Sequence, residues 1–224
     1  MEETIRILMT DDHPIIIEGY QNTLLATKKE NQILKIDIAN NCDESVNFMQ
    51  QAIDKELPYH ILFMDISLPP SSDGEFTSGE DLAKYARRMM PKSKIIMLTM
   101  FNEPYRIHNI IKDIDPEGFL IKSDLTSREL ASAFQKVLYR PPFYSSTVST
   151  TIRKTITNDI KLDDIDRKIL YLLSQGIRTK SLKDHFDISL SAIEKRKKHL
   201  KIMFDVSDGS DENLLSVAKN AGFI

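Results

Sequence analysis

With 224 residues, 41% of them hydrophobic and 28% charged, the chain has room for two modest globular domains or one large one, and its single cysteine, Cys42, excludes an intrachain disulfide and a cysteine-rich zinc site. No apolar run approaches the roughly 20 residues that cross a bilayer, and the acidic start Met1-Glu2-Glu3-Thr4 is unlike a secretory leader, so a cytoplasmic protein is expected. The net charge of −3 divides unevenly, about −6 on residues 1–150 and about +3 on 151–224, which points to different partners for the two parts.

Residues 5–9 form a short apolar strand candidate that runs straight into Thr10-Asp11-Asp12-His13-Pro14. Pro14 suits the first turn of a helix, where its missing N–H is harmless, so strand, acidic turn and helix follow in order. A second strand is predicted over 33–38, then a helix capped by Asp43 and running to about Asp54, with Val46, Met49 and Ile53 on one face. The next stretch, Ile61-Leu62-Phe63-Met64-Asp65, is apolar without alternation, as suits a strand covered on both faces, and it ends in one carboxylate.

A long Pro-, Ser- and Gly-rich connection, 69–79, precedes a helix around 80–90. Strands over 94–99 and 118–122 then alternate with helices over 103–113 and 126–139, the last with Leu130, Phe134, Val137 and Leu138 inward. Five strands alternating with five helices predict right-handed crossovers and a doubly wound parallel sheet. That topology gathers the C-terminal strand ends, and with them Asp11, Asp12, Asp65, Thr99 and Lys122, at the edge where open α/β sheets bind ligands.

Three carboxylates in one small site repel one another unless a cation is present, and a hard divalent ion such as Mg²⁺ takes oxygen ligands of this kind. Lys122 adds a point charge for an anionic oxygen and Thr99 a hydroxyl donor. Together they describe a phosphoryl-binding site with a carboxylate nucleophile. Taken singly, Asp12 also suits a helix cap, Thr99 an ordinary strand and Lys122 a solvated strand end.

The set Asp11-Asp12-His13-Pro14, Met64-Asp65-Ile66-Ser67-Leu68-Pro69, Leu98-Thr99 and Gly118-Phe119-Leu120-Ile121-Lys122 resembles the flavodoxin-like receiver domain of two-component response regulators, over roughly residues 4–140. The resemblance implies that Asp65 accepts a phosphoryl group from a histidine kinase. It implies that Asp12, Asp65 and the Ser67 carbonyl bind Mg²⁺ with help from Asp11, and that Lys122 pairs with the phosphoryl group. Thr99 and Phe119 would act as the switch, and the N–H groups of Ser67 and Met100 would complete the cradle. Ser123 stands after Lys122 where many receivers have proline, so no cis peptide is expected there. The 69–79 loop is longer than usual and is expected to shape kinase or dimer contacts.

Arg140-Pro141-Pro142 ends the last receiver helix, and residues 145–157, rich in Ser and Thr without a firm helical period, suggest a linker. Beyond it the pattern is short helices: one capped by Asp163 or Asp164 and stopped at Gly176, a brief one from Thr179 carrying Leu182 and Phe186, a longer one over 190–204 capped by Ser189, and a last over 211–221. On the longer helix Ile193, Leu200 and Phe204 share one stripe, whereas Ser191, Glu194, Lys195, Lys198 and Lys201 share another. Short helix, tight turn and basic helix make helix-turn-helix geometry.

The frame Ile169-Leu170, Leu172-Leu173, Gly176, Thr179-Lys180, Ile188-Ser189, Ala192-Ile193, Leu200 and Val206 is similar to the LuxR-type helix-turn-helix domain of NarL-type regulators. That similarity implies double-stranded DNA as partner, with Glu194, Lys195 and Lys198 toward base edges and Lys180, Lys197 and Lys201 toward phosphates. Ala192, Arg196 and Asp205 stand where the family usually has Thr, His and Gly, and Ile165 where it has Arg. The expected domains are a receiver over 1–140, a linker over 141–160 and a small all-α DNA-binding domain over 161–224. The expected activity is a non-enzymatic transcription switch that dimerises when phosphorylated. A Mg²⁺-dependent phosphohydrolase is the competing class, but Ser67 occupies the place where such enzymes carry a second acid.

Overall fold

The computed structural model describes residues 2–156, 160–206 and 209–224, so residues 157–159 of the expected linker and Met1 lie outside the described residues. The described residues form two compact units, the first over 2–102 and Ile110–Val148 and the second over Glu103–Asn109 and Ser149–Ile224. No helix among the described residues is long and apolar enough to cross a membrane.

The first unit is built on β1 (Glu3–Thr10), β2 (Gln32–Ala39), β3 (Ile61–Asp65), β4 (Lys94–Thr99), β5 (Gly118–Ile121) and β6 (Phe143–Tyr144), all paired in parallel in the order β2-β1-β3-β4-β5-β6. The helices between them are α1 (Pro14–Thr27), α2 (Cys42–Asp54), α3 (Gly79–Met89), α4 (Pro104–Ile114) and α5 (Ser127–Tyr139). The doubly wound sheet is as expected except that it has six strands rather than five. The extra strand is the Phe143–Tyr144 pair beyond the two prolines, held to β5 through Phe143 N–H to the Glu117 carbonyl at 2.9 Å. Two residues carry too little periodicity to announce a strand, and the neighbouring edge supplies the hydrogen bonds.

Both faces of the sheet are covered, which explains why β3 is apolar without alternation: Ile61 to Met64 are wholly buried. Ile7, Met9, Phe63, Ile96, Leu98 and Leu120 pack with Ile17 and Leu24 of α1 and with Leu130, Phe134 and Val137 of α5. The intervening residues Leu8, Leu62, Met64, Met97 and Phe119 are also buried and, by the two-residue pleat, belong to the opposite face.

Local signals set the helix ends. Asn41, not Asp43, caps α2, its side chain accepting from Glu44 N–H at 2.8 Å. Asp43 sits in the first turn instead, where its carboxylate takes the Ser72 N–H and hydroxyl. Thr126 caps α5 in a reciprocal box with Glu129. The cis peptide bond among the described residues is Pro141–Pro142, so Lys122–Ser123 is trans, as the Ser at that place suggests.

The stretch expected as an irregular linker holds β6 and a further helix, α6 (Ser146–Ile156). Its start is fastened by Asp124, which accepts from Thr147 N–H at 3.0 Å and the Thr147 hydroxyl at 2.9 Å. A capping carboxylate from twenty-odd residues away cannot be read from the local Ser/Thr pattern.

The second unit contains α7 (Asp164–Ser174), a 3₁₀ segment (Thr179–His185), α8 (Leu190–Met203) and α9 (Asp211–Asn220). Phe186, expected inside the brief helix, falls just past it. Asp163 caps α7, Ser189 caps α8 and Gly176 turns the chain at φ +81°. Ile169, Leu170, Leu182, Ile193, Leu200, Leu214, Ala218 and Phe223 make its core.

Candidate functional site

The parallel topology brings β1, β3, β4 and β5 to end at one edge. Asp11 follows β1, Asp65 is the last residue of β3, Thr99 the last of β4, and Lys122 opens a 3₁₀ turn directly after β5 rather than ending the strand. Asp11, Asp65 and Thr99 are each only 1% exposed. The Lys122 ammonium donates to Asp11 Oδ2 at 2.6 Å and lies 3.1 Å from Asp65 Oδ1. That Asp65 oxygen is buried.

Asp12, Asp11 and Asp65 come together with His13, each offering a ligand atom within 4.8 Å of the others. His13 Nδ1 is 2.7 Å from Asp12 Oδ1 and 3.2 Å from Asp11 Oδ1. Burial raises the Asp65 carboxyl above its ordinary value; Lys122 opposes the rise, Asp11 adds to it, and the Ser67 backbone N–H lowers it. Three carboxylates against the single Lys122 ammonium leave net negative charge that a hard cation relieves, so the donor set fits Mg²⁺.

The remaining expected residues surround this centre unequally. Thr99 Oγ1 accepts from the Phe101 N–H at 2.9 Å. Met100 is 63% exposed at the rim and Ser67 is exposed, whereas Phe119 is wholly buried. The register pairs Met97 with Phe119 and Thr99 with Ile121, so Thr99 and Phe119 lie on the same side of the pleat, one step apart on neighbouring strands.

Two contributors escape a reading by motif. Gly79 begins α3 against Asp65 itself: a Cβ there would stand 1.8 Å from the Asp65 carbonyl oxygen, and its N–H donates to the Ile66 carbonyl at 3.1 Å. Tyr20 of α1 is the other; burial raises its phenol, as do the charges of Asp11 and Asp65. Helical spacing places Tyr20 on α1, but only the fold sets it beside the acids.

The 69–79 loop is closed on itself and onto its neighbours. Ser71 N–H donates to the Phe76 carbonyl, Ser72 to Asp43, and Thr77 to Asp81 through both N–H and hydroxyl, while Phe76 meets Tyr85 edge to face at 5.5 Å. Gly74, at φ +75°, makes the turn.

In the second unit α8 presents Glu194, Lys195 and Lys198 exposed, with Lys180 exposed on the 3₁₀ segment, and Ile202 outward at 69% exposure. Lys197 and Lys201 differ: Lys197 donates to Thr179 Oγ1 at 2.7 Å and Asp211 Oδ2 at 2.9 Å, and Lys201 pairs with Asp211 Oδ1 at 2.6 Å. Arg196 spans α8 and the start of α7, donating to Asp163 at 2.8 Å and Asp166 at 2.9 Å. Asp205 takes the left-handed conformation at φ +52° just past α8, the place where LuxR-type domains carry glycine.

No protein-family model matches the chain. Among curated proteins it is similar to the transcriptional regulatory protein RcsB of Salmonella typhi, 26% identical over 207 residues that cover 91% of this chain and 90% of that protein. Among solved structures it is similar to RcsB of Salmonella enterica serovar Typhimurium bound to promoter P1flhDC with phosphomimetic BeF₃⁻, at 25% identity and a TM-score of 0.61 over 96% of this chain and 98% of that one. The isolated receiver domain of the same protein, also with BeF₃⁻, matches at 27% identity and a TM-score of 0.53, covering 66% of this chain and 98% of that one.

Proposed function

From the chain's place among two-component response regulators of the NarL/LuxR type, a receiver followed by a LuxR-type helix-turn-helix domain, we propose that it is a phosphorylation-controlled transcription regulator. The observation that carries this is the gathering of buried Asp65 with Asp11 and Asp12 at the C-terminal sheet edge, its Oδ1 3.1 Å from Lys122 Nζ. In the proposed transfer this oxygen attacks the phosphorus of a kinase phosphohistidine. A P–O bond forms as the P–N bond breaks, and the imidazole leaves with the electron pair.

Asp11, Asp12, Asp65 and the Ser67 carbonyl are the residues that would hold Mg²⁺, which would offset the charge of the carboxylates and of the incoming phosphoryl oxygens. Lys122 supplies a fixed positive charge to the phosphoryl group, and the N–H groups of Ser67 and Met100 complete its cradle. The new dianion offers Thr99 a stronger acceptor position than its present bond with Phe101, and the Phe119 ring behind it repacks. The resulting surface favours a homodimer, which matches paired half-sites on DNA. Glu194, Lys195 and Lys198 are assigned to base edges, and Lys180, Lys197 and Lys201 to the phosphate side. The domain limits 1–140, 141–160 and 161–224, the cytoplasmic location and the absence of catalytic turnover on other substrates belong to the same proposal.

The test treats wild type and Asp65→Ala with Mg²⁺ and a small phosphodonor, then follows mass, oligomer size and selection from a random DNA pool. Wild type is expected to gain one phosphoryl group, self-associate and select a sequence, and the variant to do none of these. Identical behaviour of the two proteins would overturn the switch.

A further inference from the structure

We propose that Asp211 limits the sequence-independent DNA affinity of α8 by withholding Lys197 and Lys201 from the phosphate backbone. This rests on the DNA-binding reading above and makes the phosphate-side assignment of these two lysines conditional on Asp211.

The two lysines are four residues apart, so their ammonium groups rise from the same side of α8. Asp211, in the first turn of α9, gives one carboxylate oxygen to each: Oδ2 to Lys197 at 2.9 Å and Oδ1 to Lys201 at 2.6 Å. Both ammoniums have a second acceptor, Thr179 Oγ1 for Lys197 and the Gly209 carbonyl for Lys201. Ser210, capping α9 through the Asn213 N–H at 3.0 Å, fixes the turn from which Asp211 reaches across. The clamp therefore joins the 3₁₀ segment, α8 and α9, and the lysine side chains are only 17% exposed.

Burial raises the Asp211 carboxyl, but hydrogen bonds from Lys201 and Lys197 outweigh it and hold the group below the ordinary carboxylate range, so it stays ionised at neutral pH. A phosphate that recruits either lysine must then compete with an anion already in place, and it approaches Asp211 itself against like-charge repulsion. Lys180, Lys195 and Lys198 are exposed. Phosphate contacts raise affinity for every sequence alike, whereas base contacts discriminate. Holding two lysines back thus lowers the affinity for every sequence alike, non-specific duplex included.

The experiment compares full-length wild type, Asp211→Asn and Glu212→Gln, the last removing the same charge from the adjacent exposed position. Binding to mixed-sequence duplex is measured across a salt series, and elution from heparin serves as a polyanion readout independent of DNA. Asp211→Asn is expected to bind mixed duplex about tenfold more tightly, to steepen the salt slope by up to about 1.8 for two added phosphate contacts, and to elute from heparin later than Glu212→Gln. Adding Lys197→Ala and Lys201→Ala to Asp211→Asn should abolish the gain. Equal shifts in Asp211→Asn and Glu212→Gln, or a gain that survives loss of both lysines, would overturn the proposal.

If Asp211→Asn does not fold, the lysine pair replaced in the wild-type background decides. A nearly unchanged salt slope supports withholding, and a slope shallower by about 1.8 contradicts it. Failure of wild type to select any DNA sequence would remove the DNA-binding reading, while heparin elution would still report whether Asp211 restrains the two lysines.

Discussion

Lys122 carries more than its sequence position announces. Its ammonium bridges two buried carboxylates, hydrogen-bonding Asp11 and ion-pairing with Asp65 Oδ1. Asp65 is thus held close to a fixed positive charge, which suits the nucleophile proposed above. Gly79 limits how Asp65 can move, because the start of α3 rests on the Asp65 carbonyl with no room for a side chain. Gly79→Ala must displace backbone rather than a flexible side chain, so a stability loss of about 1–3 kcal/mol is expected in urea unfolding, typical of overpacking. Phosphoryl uptake from a small donor, read by mass, should fall with it. Full uptake at wild-type rate in Gly79→Ala would show that the contact does not position Asp65.

At the scale of elements, the ends of helices decide how the site is framed. Asn41 caps α2, which leaves the Asp43 carboxylate available to the 69–79 loop through Ser72. Asn41→Ala is expected to cost about 1 kcal/mol, the usual worth of an N-cap. Asp43→Ala should cost less in stability and instead raise hydrogen exchange at the Ser72 amide. Reversal of the two effects would return the cap to Asp43. Nearer the site, Asp124, two residues after Lys122, fastens the start of α6, so the 3₁₀ turn that Lys122 opens also holds the start of a helix beyond α5. In the second unit Arg196 ties α8 to Asp163 and Asp166 at the start of α7. That pairing gives Arg196, a departure from the usual LuxR-type residue, a structural use of its own.

At the scale of the whole molecule, each unit has its own apolar core, one around the sheet and one among α7, α8 and α9. The acidic cluster belongs to the first unit alone. Mg²⁺ that binds the folded cluster and not the unfolded chain stabilises only the unit that holds it, by about 2.7 kcal/mol at a hundredfold excess over the dissociation constant. Thermal unfolding with and without Mg²⁺, followed by hydrogen exchange in each unit, is expected to show added protection in the sheet and none in α7 or α9. Asp12→Ala should reduce that protection, and an equal Mg²⁺ response in Asp12→Ala would place the ion elsewhere.

The doubly wound sheet and the ends of its strands were legible in the sequence because continuous apolar runs, acidic turns and amphipathic helices follow from local periodicity. The gathering of Asp11, Asp12, Asp65, Thr99 and Lys122 followed from topology, since parallel strands with right-handed crossovers align their C-terminal ends. The helix-turn-helix pattern was legible on the same grounds, through Asp163, Gly176 and Ser189 at the helix ends and the Ile193, Leu200 and Phe204 stripe. Tertiary structure alone decided the sixth strand, the cap of α6, the Gly79 contact with Asp65, and the clamp of Asp211 on Lys197 and Lys201. Each of these joins residues that no local period relates. Their cause is an unpaired strand edge, an unsatisfied helix end, a close backbone approach or an unpaired charge, and the partner that answers it is chosen by the fold.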